Sequence, residues 1–233
     1  MAETTEVLEQ KKIKVKEREP LFSKKNKKLI SDPLDENNPV TIQVLGICSA
    51  LAVTVQMKAA VVMSVSVLFV LILANVTVSL IRNLIPNRIR IIVQLVVVAA
   101  LVIVVDQVLK AYLFDVSKEL SVFIGLIITN CIIMGRLEAF ALGNKPWPSA
   151  LDAVGNSLGY AMVLVIVSFF KELFGSGKLF GIEIFGNLAE QTGLYSMGYM
   201  DNGLMLLPPS SLILVAVYIW VQKIRNPSLI ESH

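Results

Sequence analysis

Two apolar stretches decide how this chain folds: Leu45–Thr54, which reads LGICSALAVT, and Leu126–Gly135, which reads LIITNCIIMG. Each is well short of the roughly 20 apolar residues that a helix needs to span a bilayer. Each also carries one of the two cysteines of the chain, Cys48 or Cys131. The stretches occupy corresponding places in two halves of the sequence. Short, equivalent hydrophobic segments indicate a site near the midplane of an inverted-repeat membrane fold.

The composition predicts an integral membrane protein. Of the 233 residues, 55% are hydrophobic, the mean hydropathy is +0.70, and the apolar residues come in long runs instead of at amphipathic spacing. Nearly half of the charged residues lie in residues 1–38, with the two signs close to balance. Because the basic residues belong to this mixed tail, the net charge of +3 gives no sign of nucleic-acid binding.

Residues 1–38 are expected to form a charged, disordered cytoplasmic extension, since so few apolar residues cannot build a core. The stretch has no apolar centre of the kind a signal peptide requires, so we expect it to stay on the mature protein. An alternative interpretation is a docking arm for a partner or for anionic lipid headgroups.

The rest of the pattern predicts an all-α integral membrane domain over residues 39–225 and a short tail over 226–233. Six transmembrane segments are expected, at residues 39–57, 59–81, 89–112, 120–135, 151–174 and 204–222. They would form two inverted three-helix repeats, 39–112 and 120–222, with the first and fourth segments as short half-helices.

The ends of these segments also have sequence signals. Asn38 and Pro39 are expected to start the first helix as N-cap and first helical residue. Arg136 is expected to stop the fourth, and the stretch from Ser149 to Asp152 resembles a capping box that would start the fifth. Lys and Arg are more frequent in the loops on the side of the N-terminus, which predicts that both termini are cytoplasmic.

Internal similarity supports two equivalent halves. The string Ser-Leu-Ile-Arg-Asn-Leu at residues 79–84 resembles Ser-Phe-Phe-Lys-Glu-Leu at residues 168–173, close to the ends of the second and fifth segments. If the second half enters the membrane from the opposite side, Cys48 and Cys131 should approach each other near the midplane.

Two such cysteines indicate half of a metal site. A single cysteine in a membrane helix is usually a small apolar packing residue, but the symmetric placement of the only two favours a shared role. An iron–sulfur cluster normally takes four protein ligands, so a second copy or a paralogous partner would have to complete it. Nearby small and polar residues could allow close approach or donate hydrogen bonds to sulfur: Gly46, Ser49, Thr129 and Asn130.

Carboxylates near membrane segments are candidates for ion binding. Asp106 follows the apolar run LVIVV and is expected either to bind sodium in a transport path or to pair with Lys110 at i+4. Asp152 is a second candidate for the sodium path, with a structural role at a helix start as the alternative. Glu138 is expected to be an interfacial ion-pair partner.

Longer strings in the chain resemble a known family. They include NNPVTIQVLGICSALAVT (37–54), SLIRNLIPNRIRIIVQ (79–94), SVFIGLIITNCIIMGRLEAFA (121–141) and FGSGKLFG (174–181). Over about residues 35–225 the chain is similar to the NqrD/RnfE family, whose members include a membrane subunit of the bacterial sodium-translocating NADH:quinone oxidoreductases.

The resemblance implies a role in electron transfer. Cys48 and Cys131 would supply two of the four ligands of an intramembrane [2Fe–2S] cluster, and the paralogous NqrE subunit the other two. The chain would act as a membrane electron relay in a complex that passes electrons from NADH to ubiquinone and exports sodium. FAD, FMN, riboflavin and the NADH and quinone sites would lie on other subunits, among them NqrA, NqrB, NqrC and NqrF, in the bacterial inner membrane.

Two alternatives stay open. A homologous subunit of an Rnf-type ferredoxin:NAD oxidoreductase would carry the same cluster but receive electrons from a different donor. A small inverted-repeat ion or solute transporter would have the same pair of short segments and would bind no iron.

Overall fold

The structure, a computed structural model, describes residues 24–34, 37–86, 88–112, 125–176, 178–179, 182–183 and 203–226. These residues are almost entirely helical. The helices are α1 (Lys24–Ser31), α2 (Ile47–Val53), α3 (Met57–Ile81), α4 (Arg90–Tyr112), α5 (Cys131–Arg136), α6 (Pro146–Ser176), α7 (Gly203–Leu206) and α8 (Pro208–Arg225). A 3-10 turn (Asp32–Leu34) follows α1, a π-helical turn (Leu137–Ala141) follows α5, and the two-residue strands β1 (Lys178–Leu179) and β2 (Ile182–Glu183) pair antiparallel.

Three helices within the described ranges are long and apolar enough to cross a membrane: Met57–Ile81, Arg90–Val108 and Pro146–Gly175. Together with the family resemblance this supports a membrane protein. The predicted segments that begin at residues 120 and 204 have no such helix, and the start of the fourth lies outside the described residues.

The centre of the fold is the contact between α3 and α6, which is the most extensive contact among the described helices. Valine and leucine side chains of both helices fill it, among them Val67, Leu71, Val163 and Leu164, all fully buried. Two side chains of α3 also bond the backbone near the start of α6: Asn75 donates to the Ser149 carbonyl (3.1 Å) and Ser79 to the Asn144 carbonyl (2.6 Å). This pairing fixes the frame on which the shorter helices rest.

The first short helix starts later than predicted. Residues 39–45 form turns, and α2 begins at Ile47 after Gly46, whose φ of +83° lies in the left-handed region that favours glycine. Val44 also has a positive φ of 58°, a strained conformation for a β-branched residue. The predicted helix start at Pro39 was wrong because the positive φ of these two residues interrupts a right-handed helix. Asn38 still accepts from the amides of Val40 and Thr41, as an N-cap does, but the turn does not continue as a helix.

The second short helix is also interrupted. Residues 125–128 are helical, the chain opens at Thr129 and Asn130, and α5 begins at Cys131. The α-helix ends at Arg136, where the stop was predicted, and the chain continues from there into the π-helical turn. The charge of Arg136 is paired with a carboxylate, described below.

Helix α6 begins at Pro146, so Ser149 and Asp152 lie inside it. The prediction that they cap its start was therefore wrong. Further along, Gly155 and Gly159 let the N-terminal segment approach: a Cβ on Gly155 would lie 2.5 Å from the Leu29 carbonyl oxygen, and one on Gly159 would lie 2.4 Å from that of Pro33. The end of the predicted extension thus includes a helix packed on the membrane domain, whereas residues 1–23 lie outside the described residues.

A candidate metal centre where two short helices begin

The structure brings the two cysteines together. The Sγ atoms of Cys48 and Cys131 lie 3.6 Å apart although the residues are 83 positions apart in the chain. Cys48 lies in the first turn of α2 and Cys131 is the first residue of α5. The prediction that the cysteines approach each other is confirmed. Thiolates are stabilised at helix starts by the free amides and the helix dipole.

The separation of the sulfurs suits two ligands of one metal ion. Metal–sulfur bonds of about 2.3 Å at tetrahedral angles put two thiolate sulfurs about 3.8 Å apart. The observed 3.6 Å is close to this value, and the two thiols are free, with no disulfide between them.

Within the described residues the two thiols are not part of any group of three or more His, Cys, Asp or Glu side chains that could hold a metal ion. The full sequence has no third cysteine and a single histidine, His233. Both thiols are exposed on the surface of the subunit, which leaves them open to a partner.

A buried polar cluster lies beside the thiols and consists of Ser49, Asn130 and Tyr160. The Tyr160 hydroxyl lies 2.7 Å from Ser49 Oγ, and the Asn130 amide donates to Ser49 Oγ (3.4 Å) and to the Tyr160 hydroxyl (3.5 Å). Ser49 Oγ in turn donates to the Gly46 carbonyl (2.8 Å). The sequence had suggested that Ser49 and Asn130 donate to sulfur; their donors serve this cluster instead.

Each neighbour of the cysteines has a structural task. Asn130 caps α5, since its Oδ1 accepts from the Ile132 amide at 3.3 Å. Gly46 allows the close approach that was predicted, because a Cβ there would lie 3.0 Å from the Tyr160 ring. Thr129 donates to the Gly125 carbonyl (3.1 Å). Sequence reasoning missed Tyr160, which lies within an apolar run of α6 and carries no local signal.

Asp152 forms a buried ion pair. Its carboxylate is bound by the guanidinium of Arg136 through two hydrogen bonds, one of 3.0 Å from Nε and a short one from Nη2. The Asp152 side chain is 2% exposed and that of Arg136 13%. The Asn156 amide donates to the same carboxylate at 3.1 Å. Thus α5 carries a cysteine at its first residue and a partly buried arginine at its last.

The other two acids pair at more exposed positions. Asp106 accepts from Lys110 Nζ at 2.6 Å, which is the i+4 pair that was one of the two expectations. Its second oxygen, Oδ1, is buried and has no hydrogen-bond partner within the described residues. Glu138 pairs with Arg90 of α4 and accepts from Gln94 at 3.2 Å, so the expectation that it forms an ion pair is confirmed.

Comparisons with known proteins identify similar membrane proteins. A family model described as "Rnf-Nqr subunit, membrane protein" matches residues 26–219. The chain is also similar to a protein of Photobacterium profundum that is named as the D subunit of the Na(+)-translocating NADH-quinone reductase. The two are 53% identical over 210 residues, which cover 90% of this chain and 98% of that protein.

Proposed function

The chain belongs to the Rnf-Nqr family of membrane subunits, and from that premise we propose that it is an electron-relay subunit of a sodium-translocating NADH:quinone oxidoreductase. In this role Cys48 and Cys131 supply two of the four ligands of a [2Fe–2S] cluster, and the paralogous NqrE subunit supplies the others. The 3.6 Å separation of the two sulfurs is the observation that carries the proposal. The high identity to a relative named as part of a sodium-translocating enzyme favours the sodium pump over the Rnf-type complex.

The residues of this chain fit such a group. The two thiolates come from the first turns of two short helices, face outward, and have room for a partner at the surface. A bound cluster would supply a one-electron carrier inside the membrane. The chain itself would hold the two sulfurs at a fixed separation.

The remaining expectations belong to the same proposal. Six membrane segments form two inverted repeats in the bacterial inner membrane, with both termini cytoplasmic. The flavins and the NADH and quinone sites lie on the other subunits, NqrA, NqrB, NqrC and NqrF, and the membrane lipids surround the outer helices.

Iron and acid-labile sulfide in the purified complex test the cluster. We expect about two irons and two sulfides for the site shared with NqrE, and their loss in a Cys48→Ser, Cys131→Ser double variant. Ser64→Ala is the matched control, because it removes a small buried polar group of α3 that bonds only its own helix (Ser64 Oγ to the Ala60 carbonyl, 2.8 Å). Equal iron in the double variant and the control would refute the assignment of the cysteines, and an iron-free complex would favour a transporter.

For sodium, we propose that Asp152 and Asp106 contribute to the ion path. Near Asp152, three buried oxygens have no hydrogen-bond partner within the described residues: Asn75 Oδ1, Ser149 Oγ and Asn156 Oδ1. Oxygen atoms are the ligands that hard cations take. Because Arg136 engages both oxygens of the Asp152 carboxylate, a sodium ion would reach that carboxylate only when the guanidinium moves away.

The sodium proposal is tested by the sodium dependence of quinone reduction in the intact complex. Asp152→Asn and Asp106→Asn should each raise the sodium concentration for half-maximal activity by about tenfold, the effect of about 1.4 kcal/mol. Glu138→Gln is the control, since it removes an acid that is paired with Arg90 at a more exposed position. A sodium dependence that is unchanged in both Asp variants would contradict the proposal.

A further inference from the structure

We infer that Tyr160 is the positioning residue of the thiol pair: its hydroxyl group joins the starts of α2 and α5 and so sets the separation between the Cys48 and Cys131 sulfurs. The inference rests on the proposed function in one respect, since the separation of the two sulfurs matters because both would bind one cluster. The contacts themselves belong to this chain alone.

The hydrogen bonds of the cluster run in one direction. Asn130 can only donate through its amide nitrogen, and it donates to both Tyr160 and Ser49. Ser49 uses its own proton for the Gly46 carbonyl, so the short 2.7 Å bond is donated by Tyr160 to Ser49. The phenol therefore accepts from the residue before Cys131 and donates to the residue after Cys48.

Because the three side chains of the cluster are buried, their polar groups need hydrogen-bond partners within the protein. Tyr160, Ser49 and Asn130 are 0%, 0% and 1% exposed, and a buried hydroxyl or amide without a partner costs about 1–3 kcal/mol. The partners that the structure gives the phenol both lie on the cysteine-bearing elements. Moving either helix start away from Tyr160 would break at least one of these bonds.

The ring of Tyr160 also contacts the start of α2. Gly46 lies against it so closely that a Cβ would meet Cε2 at 3.0 Å, and this contact limits how far the start of α2 can move toward α6. Tyr160 itself belongs to α6, which is packed along α3 in the centre of the fold. Although the thiols are exposed, Tyr160 fixes their positions relative to α6, which is one of the two central helices.

Dibromobimane, which bridges two neighbouring thiols, tests the inference in the full complex after iron has been removed with a chelator. The product that joins Cys48 to Cys131 is measured by mass spectrometry, so that bridges to the partner's ligands are not counted. Loss of one hydrogen bond worth about 1 kcal/mol should lower the rate of bridging about fivefold in Tyr160→Phe. Ser49→Ala removes the other end of this bond together with the Ser49 bonds to Gly46 and Asn130, so its decrease should be at least as large. The double variant should lose less than the sum of the two single losses, because both variants remove the shared Tyr160–Ser49 bond.

Ser64→Ala serves again as control, since it removes a buried hydroxyl group with no contact to the cluster. Bridging in Tyr160→Phe at the rate of this control would overturn the inference, and so would additive losses in the double variant. Should one single variant fail to assemble, the other single variant decides, since each breaks the same bond.

A second readout uses the loaded complex. Tyr160→Phe should shift and broaden the electron paramagnetic resonance signal of the reduced cluster, whereas the Ser64→Ala signal should equal the wild type. A purely structural role for Tyr160 would change the yield of complex but not the signal. The proposed function fails if the wild-type complex has no such signal, while the bridging experiment still decides the role of Tyr160.

Discussion

Gly46 is the single residue on whose backbone the thiol pair depends most directly. Its φ of +83° turns the chain into α2, and its missing side chain leaves room for the Tyr160 ring. Both demands fall on one position two residues before Cys48. No other residue type meets them without strain.

Gly46→Ala should therefore destabilise the site. The left-handed conformation alone costs an alanine about 1–2 kcal/mol, and the new Cβ would press on the ring as well. We expect a lower thermal transition of the purified complex and loss of iron. Gly125→Ala is the matched control, because a Cβ there meets nothing within 4 Å; an equal effect of both substitutions would contradict the explanation.

Arg136 and Arg90 form a natural pair for comparing buried and exposed ion pairs. Removing the guanidinium in Arg136→Gln leaves the Asp152 carboxylate, which is 2% exposed, without its charged partner, and such a loss costs about 3–5 kcal/mol. Arg90→Gln should cost about 1 kcal/mol or less, since Arg90 and Glu138 are 43% and 37% exposed. Denaturation of the purified complex measures the difference, and equal losses would refute the role of burial.

At this scale the sequence identified the residues with reactive groups and missed those that hold them. Cys48 and Cys131 were evident because they are the only cysteines and lie in equivalent short segments. Tyr160 was not, since its partner Asn130 is 30 positions away and one tyrosine in an apolar helix has no pattern. Asp152 was noticed, but its partner was not, because the arginine lies on a different helix.

Among the elements, α1 has the contact that the sequence predicted least. Balanced charges in residues 1–38 suggested a disordered extension, whereas Gly155 and Gly159 provide a flat strip of α6 on which α1 and the turn after it lie. Nothing in the local sequence shows which element packs on these two glycines. The starts of α2 and α6 were missed for a related reason, because tertiary context and not only the local sequence pattern decides where a helix begins.

Gly155→Leu should release α1 from the membrane domain. Even a Cβ at this position would lie 2.5 Å from the Leu29 carbonyl oxygen, which is backbone and cannot turn aside. We expect faster cleavage after Lys27 and Lys28 by a lysine-specific protease added to membranes. Gly203→Leu is the control, since Gly203 has open space around it; unchanged cleavage in Gly155→Leu would contradict the packing.

In the molecule as a whole, burial is divided unequally among the long helices. In the most apolar stretch of each helix, 56% is buried in α3 and in α6, but only 17% is buried in α4. Its exposed side chains are large and apolar, among them Ile92, Val96, Ile103 and Val104. Composition alone predicted apolar helices, but it could not tell the central from the peripheral ones, because all three are apolar on every side.

The proposed arrangement of six segments predicts that both ends of the chain lie on the same side of the membrane. Green fluorescent protein fused after Arg225 should therefore fluoresce, and alkaline phosphatase at the same point should be inactive, as is expected for a cytoplasmic end. A fusion at Tyr112, after an odd number of segments, is the control and should show the opposite pattern. An active phosphatase at Arg225 would exclude the six-segment topology.

The distance in sequence between the two cysteines also has a consequence for the synthesis of the protein. Cys48 leaves the ribosome 83 residues before Cys131, and Tyr160 follows later still. The two sulfurs consequently cannot meet until the segment with Cys131 has been made. A cofactor that binds both sulfurs would therefore be inserted only after the second half of the chain has entered the membrane.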